Sequence, residues 1–311
     1  MQDMQTRRQF GIAAVLGVAL LLNVGCGKPS RTQIPSDQER VQLIRNEISE
    51  GAGGAVAAAT RPDPTGFATL TGSFSFPAGD AGQFTSRPNL TVTGDDAAYC
   101  SQNGAPKSSA LLVNDAGAIQ NVVIFLGDDL SKVQKPELWI HESQAPGSNT
   151  EEVVFDQKDC VFLSPVVGMQ VSQPLRILNS DGVGHNTKLE NSNQISEIIP
   201  PGGGLTYEHR KHELTPYPVS CNIHPWMRAF ILVRSNGYFD LTDADGNFTI
   251  ENLPAGVDLN MKVWHEKVGF VQSVTVNGEK KTWAKKGFTL KLEPGQETKL
   301  EVVVDAAPFA G

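Results

Sequence analysis

At 311 residues the chain has room for two domains once a leader is set aside. Hydrophobic residues make up 40% and charged residues 19%, and the formal net charge of -8 comes without a basic cluster outside the leader. Nucleic acid is thereby excluded as a partner, because neutralising phosphates takes a face rich in Lys and Arg; a basic protein partner is not. With 30 Gly and 19 Pro, and aromatic residues set singly between short apolar runs, the composition predicts an all-β chain of many short strands and turns.

In chain order, Thr6-Arg7-Arg8-Gln9-Phe10 is followed by the apolar run Gly11–Leu22. An arginine-bearing start and an apolar run too short to span a bilayer predict a secretory leader over residues 1–25. The paired arginines with Phe10 resemble a twin-arginine export signal, and Leu22-Asn-Val-Gly25-Cys26 resembles a lipoprotein cleavage site. On that resemblance Cys26 carries the lipid; the alternative is a plain leader in which Cys26 is incidental. Residues 26–65 read as a tether: a short amphipathic helix over 36–49, a Gly/Ala-rich stretch, and the breaker-rich Arg61-Pro-Asp-Pro-Thr65.

From Phe67 the pattern turns to strands. Ala68–Phe76, Asn89–Thr93, Ala110–Val113 and Asn121–Leu126 are β-rich, the last two joined by the turn Asn114–Gly117. Residues 127–152, with Pro136, Pro146 and Gly147, read as an insertion or long loop. Cys160–Gly168 and Met169–Leu178 lead to the turn Asn179-Ser-Asp-Gly and then to His185-Asn186. A glycine-rich connector at 202–204 follows, then Leu205–His209 and Tyr217–Ser220, then Cys221-Asn-Ile-His224-Pro-Trp-Met227 and the strand Arg228–Val233.

That seven-residue stretch places a thiol, an imidazole and a thioether three residues apart, with a second imidazole at His185. A soft sulfur, two imidazoles and a weak axial thioether suit copper in an electron-transfer site. Alone, Cys-x2-His is also a zinc half-site, and a lone methionine is core filler. The order His-Asn, then C-x2-H-x2-M, resembles the cupredoxins, the type 1 blue copper family, with a short ligand loop of the amicyanin kind. The resemblance implies a Greek-key β-sandwich with one copper ion on His185, Cys221, His224 and Met227, cycling between Cu(I) and Cu(II). It implies that Asn186 clamps the cysteine loop, and that His224 lies nearest the surface. Pro225 and Trp226 would then form an apolar patch on which a redox partner docks, a cytochrome or a dehydrogenase; core packing is the other reading of Trp226.

The cysteine count follows. With Cys26 assigned to lipid and Cys221 to metal, Cys100 and Cys160 remain in an exported chain, where disulfides persist. A bridge between them is the economical reading, stabilising the fold by about 3–4 kcal/mol; two buried thiols are the alternative.

After Ser235 the run Thr242-Asp-Ala-Asp-Gly-Asn-Phe-Thr-Ile250, with Leu253-Pro-Ala-Gly256, resembles the carboxypeptidase regulatory-like, transthyretin-type β-sandwich. The expected division is therefore 66–235 for a copper domain and 236–311 for a second, smaller sandwich. The second is short of core, so Ala68–Phe76 is a candidate strand for it, and the two sandwiches would then interdigitate. His209-Arg-Lys-His212 reads as solvated surface, His141 as isolated, His265 as a buried, hydrogen-bonded histidine, and Asp243–Asn247 as a β-turn rather than a calcium loop. Together these features predict an exported, lipid-anchored electron carrier of the periplasm or cell envelope, without substrate turnover. The alternatives are a copper store or surface adhesion module, and a subunit of a larger oxidase, for which the histidine pairs of a further copper centre are missing.

Overall fold

The computed structural model describes residues 61–285 and 287–310, and the leader, Cys26 and the tether up to residue 60 lie outside the described residues. The chain is all-β, as its composition predicts, and the described residues fall in one compact unit.

The sandwich that carries the candidate metal ligands is built from two sheets. In one, the strands lie in the order Ile195–Ile199, His185–Leu189, Tyr217–Ser220, Arg228–Arg234, Val166–Gln170. In the other, the order is Gly204–Tyr207, Leu175–Asn179, Val153–Lys158, Val161–Phe162. Inward side chains alternate along each strand: Leu175 and Ile177 from one sheet meet Ala229, Ile231 and Val233 from the other in a core that also holds Phe155, Met169 and Val219. Arg228–Arg234 pairs antiparallel with Tyr217–Ser220 and parallel with Val166–Gln170, so the strand leaving the ligand loop is held on both edges.

The second sandwich takes strands from both ends of the described chain. Gly66–Ser75 lies between Asn247–Ala255, antiparallel, and Glu297–Val304, parallel. Its burial alternates, with Ala68, Leu70 and Phe74 inward. Gly72 is required on that face: a Cβ there would lie 2.2 Å from the Leu300 carbonyl oxygen and 2.7 Å from the Phe248 ring. Val123–Leu126 sits in the facing sheet, between Phe239–Leu241 and Asp258–His265. The boundary expected at 235/236 is thus not the division of the sheets. Gly66–Ser75 and Val123–Leu126 belong to the C-terminal sandwich, and the metal-site sandwich has its first strand at Val153–Lys158.

The reason lies in Val123–Leu126 itself, which is buried at every position. Ile124 and Leu126 face the large core of the second sandwich, while Val123 and Phe125 pack with Val166, Leu232 and Trp264 in a smaller cluster between the sandwiches. A strand covered on both faces is continuously apolar rather than alternating. The insertion at 127–152 carries short helical turns and closes the large core with Leu130 and Trp139. Arg61, at the end of the predicted tether, stacks its guanidinium 4.3 Å above the Trp139 ring and pairs with Asp128 at 2.9 Å, so this end of the tether is docked rather than free spacer.

Candidate metal centre

Local hydrogen bonds give the ligand loop its shape. The Cys221 N–H donates to the Met227 carbonyl at 3.3 Å and the Met227 N–H to the His224 carbonyl at 2.9 Å, folding the seven residues back on themselves. Ser220 and Arg228 are paired at the loop's base. The turn returns Cys221, His224 and Met227 to one end of the sandwich, all three buried. His185, fully buried, enters from the first position of its own strand, His185–Leu189.

Ligand atoms of His185, Cys221 and His224 lie within 4.8 Å of one another. The two imidazoles present Nδ1 to Nδ1 at 2.8 Å, and the His224 Nδ1 lies 4.0 Å from the Cys221 sulfur. Their outer nitrogens are both engaged by carboxylates: His185 Nε2 lies 2.6 Å from Asp181 Oδ2, and His224 Nε2 lies 3.1 Å from Asp96 Oδ2. These partners assign the proton of each neutral ring to Nε2 and leave both Nδ1 lone pairs directed inward. Two lone pairs at this distance repel unless a cation or proton lies between them. With a sulfur beside them and the thioether of Met227 buried on the same loop, the donor set fits a metal that accepts thiolate and imidazole.

Cys221 is the free cysteine among the described residues. Its sulfur accepts backbone N–H groups from Asn186 at 3.3 Å and His224 at 3.4 Å. Burial alone would raise the thiol; His185 and the surrounding backbone N–H groups outweigh it and hold the thiol below its ordinary value. Burial also opposes charge on both imidazoles. At His185, Cys221 and Asp181 overcome it and push the ring up, whereas at His224 burial and the neighbouring His185 prevail over Asp96 and push it down. Asn186 ties the cysteine loop to the adjacent strand: its side-chain oxygen accepts the Asn222 N–H at 3.2 Å, and its amide donates to Ser196 Oγ and the Glu197 carbonyl.

Cys100 and Cys160 are joined in a disulfide. The bridge lies against the site, with sulfur within 4.8 Å of a His224 nitrogen. His224 is 1% exposed, and its outer nitrogen is met by Asp96, whose own side chain is 34% exposed. Trp226 is half-buried, its ring 5.0 Å from that of His224 and its indole N–H donating to the Cys160 carbonyl at 2.9 Å. The exposed apolar groups of the loop are Pro225 and Ile223.

Asp96, Asp181 and Tyr99 escaped the sequence reading. Asp181 had a local signal, standing four residues before His185 in a polar turn where its N–H is held by Asn179 Oδ1 at 2.9 Å. Asp96 had none, being brought to His224 by the bridge at Cys100. The surface assigned to His209 is also corrected. That ring is buried, its Nε2 2.7 Å from the Tyr217 hydroxyl, because its flanking charges point away while it packs edge-on to Tyr207. His265 is buried with its Nδ1 accepting the Lys267 N–H, and Asp243 closes a turn by accepting from Asp245 and Asn247.

No family model and no curated protein matches the chain. Among solved structures it is similar to a reduced Cu(I) amicyanin variant at pH 4, at 17% identity over 30% of this chain and 94% of that one, TM-score 0.25. An oxidised amicyanin variant aligns at 16% identity over the same shares, 30% and 94%, with TM-score 0.25. The Cu-containing nitrite reductase (NirK) from Thermus scotoductus SA-01 aligns at 18% identity over 26% of this chain and 22% of that chain, TM-score 0.25.

Proposed function

We propose that the protein is an exported type 1 copper protein that carries single electrons between redox partners, with His185, Cys221, His224 and Met227 as ligands. The observation that carries this reading is the convergence of the Cys221 sulfur and the two Nδ1 atoms in a buried pocket whose outer nitrogens are already taken. When bound there, copper supplies a one-electron Cu(I)/Cu(II) couple. The chain's contribution is to hold four donors nearly fixed in both oxidation states: the loop is closed by its own backbone hydrogen bonds, Asn186 anchors it, and two carboxylates hold the rings. A closed site of this kind favours electron transfer over turnover of a bound substrate. The bridge between Cys100 and Cys160 supports an oxidising compartment, in keeping with the leader and with lipid attachment at Cys26. Partner docking is assigned to the face bearing Pro225 and Ile223, with Trp226 beneath it. The C-terminal sandwich is read as a carboxypeptidase regulatory-like module on its Asp243–Asn247 turn and the Leu253-Pro-Ala-Gly256 sequence that ends the following strand.

The test is the visible spectrum of the full chain with Cu(II), beside that of Cys221→Ser. An intense absorption in red light that disappears in the variant is the expected result. A colourless wild-type protein would sink the copper assignment. Reversible one-electron voltammetry is expected of a carrier, and a copper store gives none.

A further inference from the structure

Each candidate imidazole ligand ends on a carboxylate, and both carboxylates are positioned by the same disulfide. Asp181 is almost wholly buried. Besides the 2.6 Å contact with His185, its oxygens accept the backbone N–H groups of Asp159 at 2.7 Å and Cys160 at 2.9 Å. The Tyr99 hydroxyl donates to it at 3.4 Å and accepts the Gly182 N–H at 2.6 Å. Asp96 immediately precedes the helical turn Ala97–Cys100. From there it reaches the outer nitrogen of His224 at 3.1 Å, with its own side chain 34% exposed. Cys100 thus holds the segment bearing Asp96, and the backbone of its partner Cys160 holds Asp181.

We propose that Asp181 and Asp96 are positioning residues that set the balance between the metal's two oxidation states, an inference that rests on the copper reading above. A carboxylate accepting the Nε2–H fixes which nitrogen faces inward and makes that nitrogen a stronger donor. Its negative charge, acting through one ring width in a buried and weakly screened site, stabilises Cu(II) against Cu(I). The effect of Asp181 exceeds that of Asp96, whose carboxylate is partly in water and better screened. Asn is the informative replacement at both positions, since it keeps an oxygen for the hydrogen bond and removes the charge.

The experiment measures the midpoint potential of the copper-loaded full chain as wild type, Asp181→Asn, Asp96→Asn and Asp96→Glu. Asp181→Asn is expected to move the equilibrium at least about tenfold toward Cu(I), which is 59 mV for one electron. Asp96→Asn is expected to move it in the same direction by a smaller factor, about threefold, and Asp96→Glu to stay at the wild-type value. Red absorption retained in both Asn variants, with potentials within about twofold of wild type, would overturn the inference and leave the copper assignment standing. Absence of that absorption in wild type would instead overturn the copper assignment. If Asp181→Asn does not fold, Asp96→Asn decides, together with long-range proton–nitrogen NMR of the Cu(I) wild-type protein. Nε2–H on both His185 and His224 is the expected pattern, and Nδ1–H on either ring would overturn the proposal.

Discussion

The indole N–H of Trp226 donates to the Cys160 carbonyl, 2.9 Å away, so the ligand loop and the disulfide are joined by a direct hydrogen bond. The bridge spans 60 residues of sequence. Loop-closure entropy puts its contribution at about 4 kcal/mol. Cys100→Ser with Cys160→Ser is expected to lower unfolding stability by about that amount, measured by urea denaturation. It is also expected to loosen copper, measured as faster loss of colour to a chelator. An unchanged chelation rate would mean that the bridge stabilises the fold without holding the site.

Asn186 joins three segments: its oxygen accepts from Asn222 in the ligand loop, and its amide donates to Ser196 and Glu197 on the neighbouring strand. Asn186→Ala leaves the Asn222 N–H and the Glu197 carbonyl without this partner. A cost of about 0.5–1.5 kcal/mol per lost hydrogen bond follows, because Asn222 and Glu197 lie on exposed positions where water can replace the partner. The backbone N–H of Asn186, which reaches the Cys221 sulfur, is unaffected by the change. The variant is therefore expected to be less stable to urea while retaining the wild-type metal stoichiometry, measured by copper titration.

Acid sensitivity is predicted away from the metal centre. Burial pushes His209 down to about 4 against the weaker pull of Glu213, and pushes His265 down to about 4 against a backbone hydrogen bond at Gln120. Both rings are neutral when folded, and they take up protons on unfolding near the ordinary histidine value of about 6.5. Between these values the unfolded chain binds more protons, so stability falls as pH falls through that window. Lowering the pH from 7 to 5 is expected to cost about 2 kcal/mol for each histidine. Glu266, pushed by burial up to about 8, works in the opposite direction over the same window, so the histidine contribution is read as a difference. His265→Phe, which removes one titrating group, is expected to lose about 2 kcal/mol less than wild type between pH 7 and 5, measured by urea denaturation at both pH values.

The cluster of His185, Cys221 and His224 was legible because two of its members lie three residues apart and the third begins a strand after a polar turn. What surrounds them was not. Asp96 reaches His224 from a distant segment, and no local pattern pairs a surface-like aspartate with a histidine so far along the chain. His209 was misassigned for the opposite reason: Glu208, Arg210 and Lys211 made its neighbourhood look solvated, although just past the strand Gly204–Tyr207 its ring packs inward against Tyr207 and Tyr217. The strand Val123–Leu126 carried its own signal, an unbroken apolar run, which means cover on both faces and so a position between two sandwiches rather than at the edge of one.

That position yields the last prediction. Phe125 is fully buried between the sandwiches, beneath the Arg234 guanidinium at 5.3 Å, and Arg234 itself donates to the Leu126 carbonyl at 2.9 Å from the far sandwich. Desolvation pushes that guanidinium down to about 10, yet it remains charged at neutral pH and holds carbonyls on both sides, at Leu126 and Glu213. Phe125→Ala removes the ring from both Arg234 and the Leu232 cluster, and a cost of about 3–5 kcal/mol is expected for a buried phenylalanine. Because Phe125 touches the second sandwich through its own strand and the metal-site sandwich through its side chain, the loss falls on the coupling between them. Calorimetry is expected to show one unfolding transition in wild type and two in the variant. A variant that unfolds in a single transition at a lower temperature would show that the borrowed strands alone keep the two sandwiches cooperative.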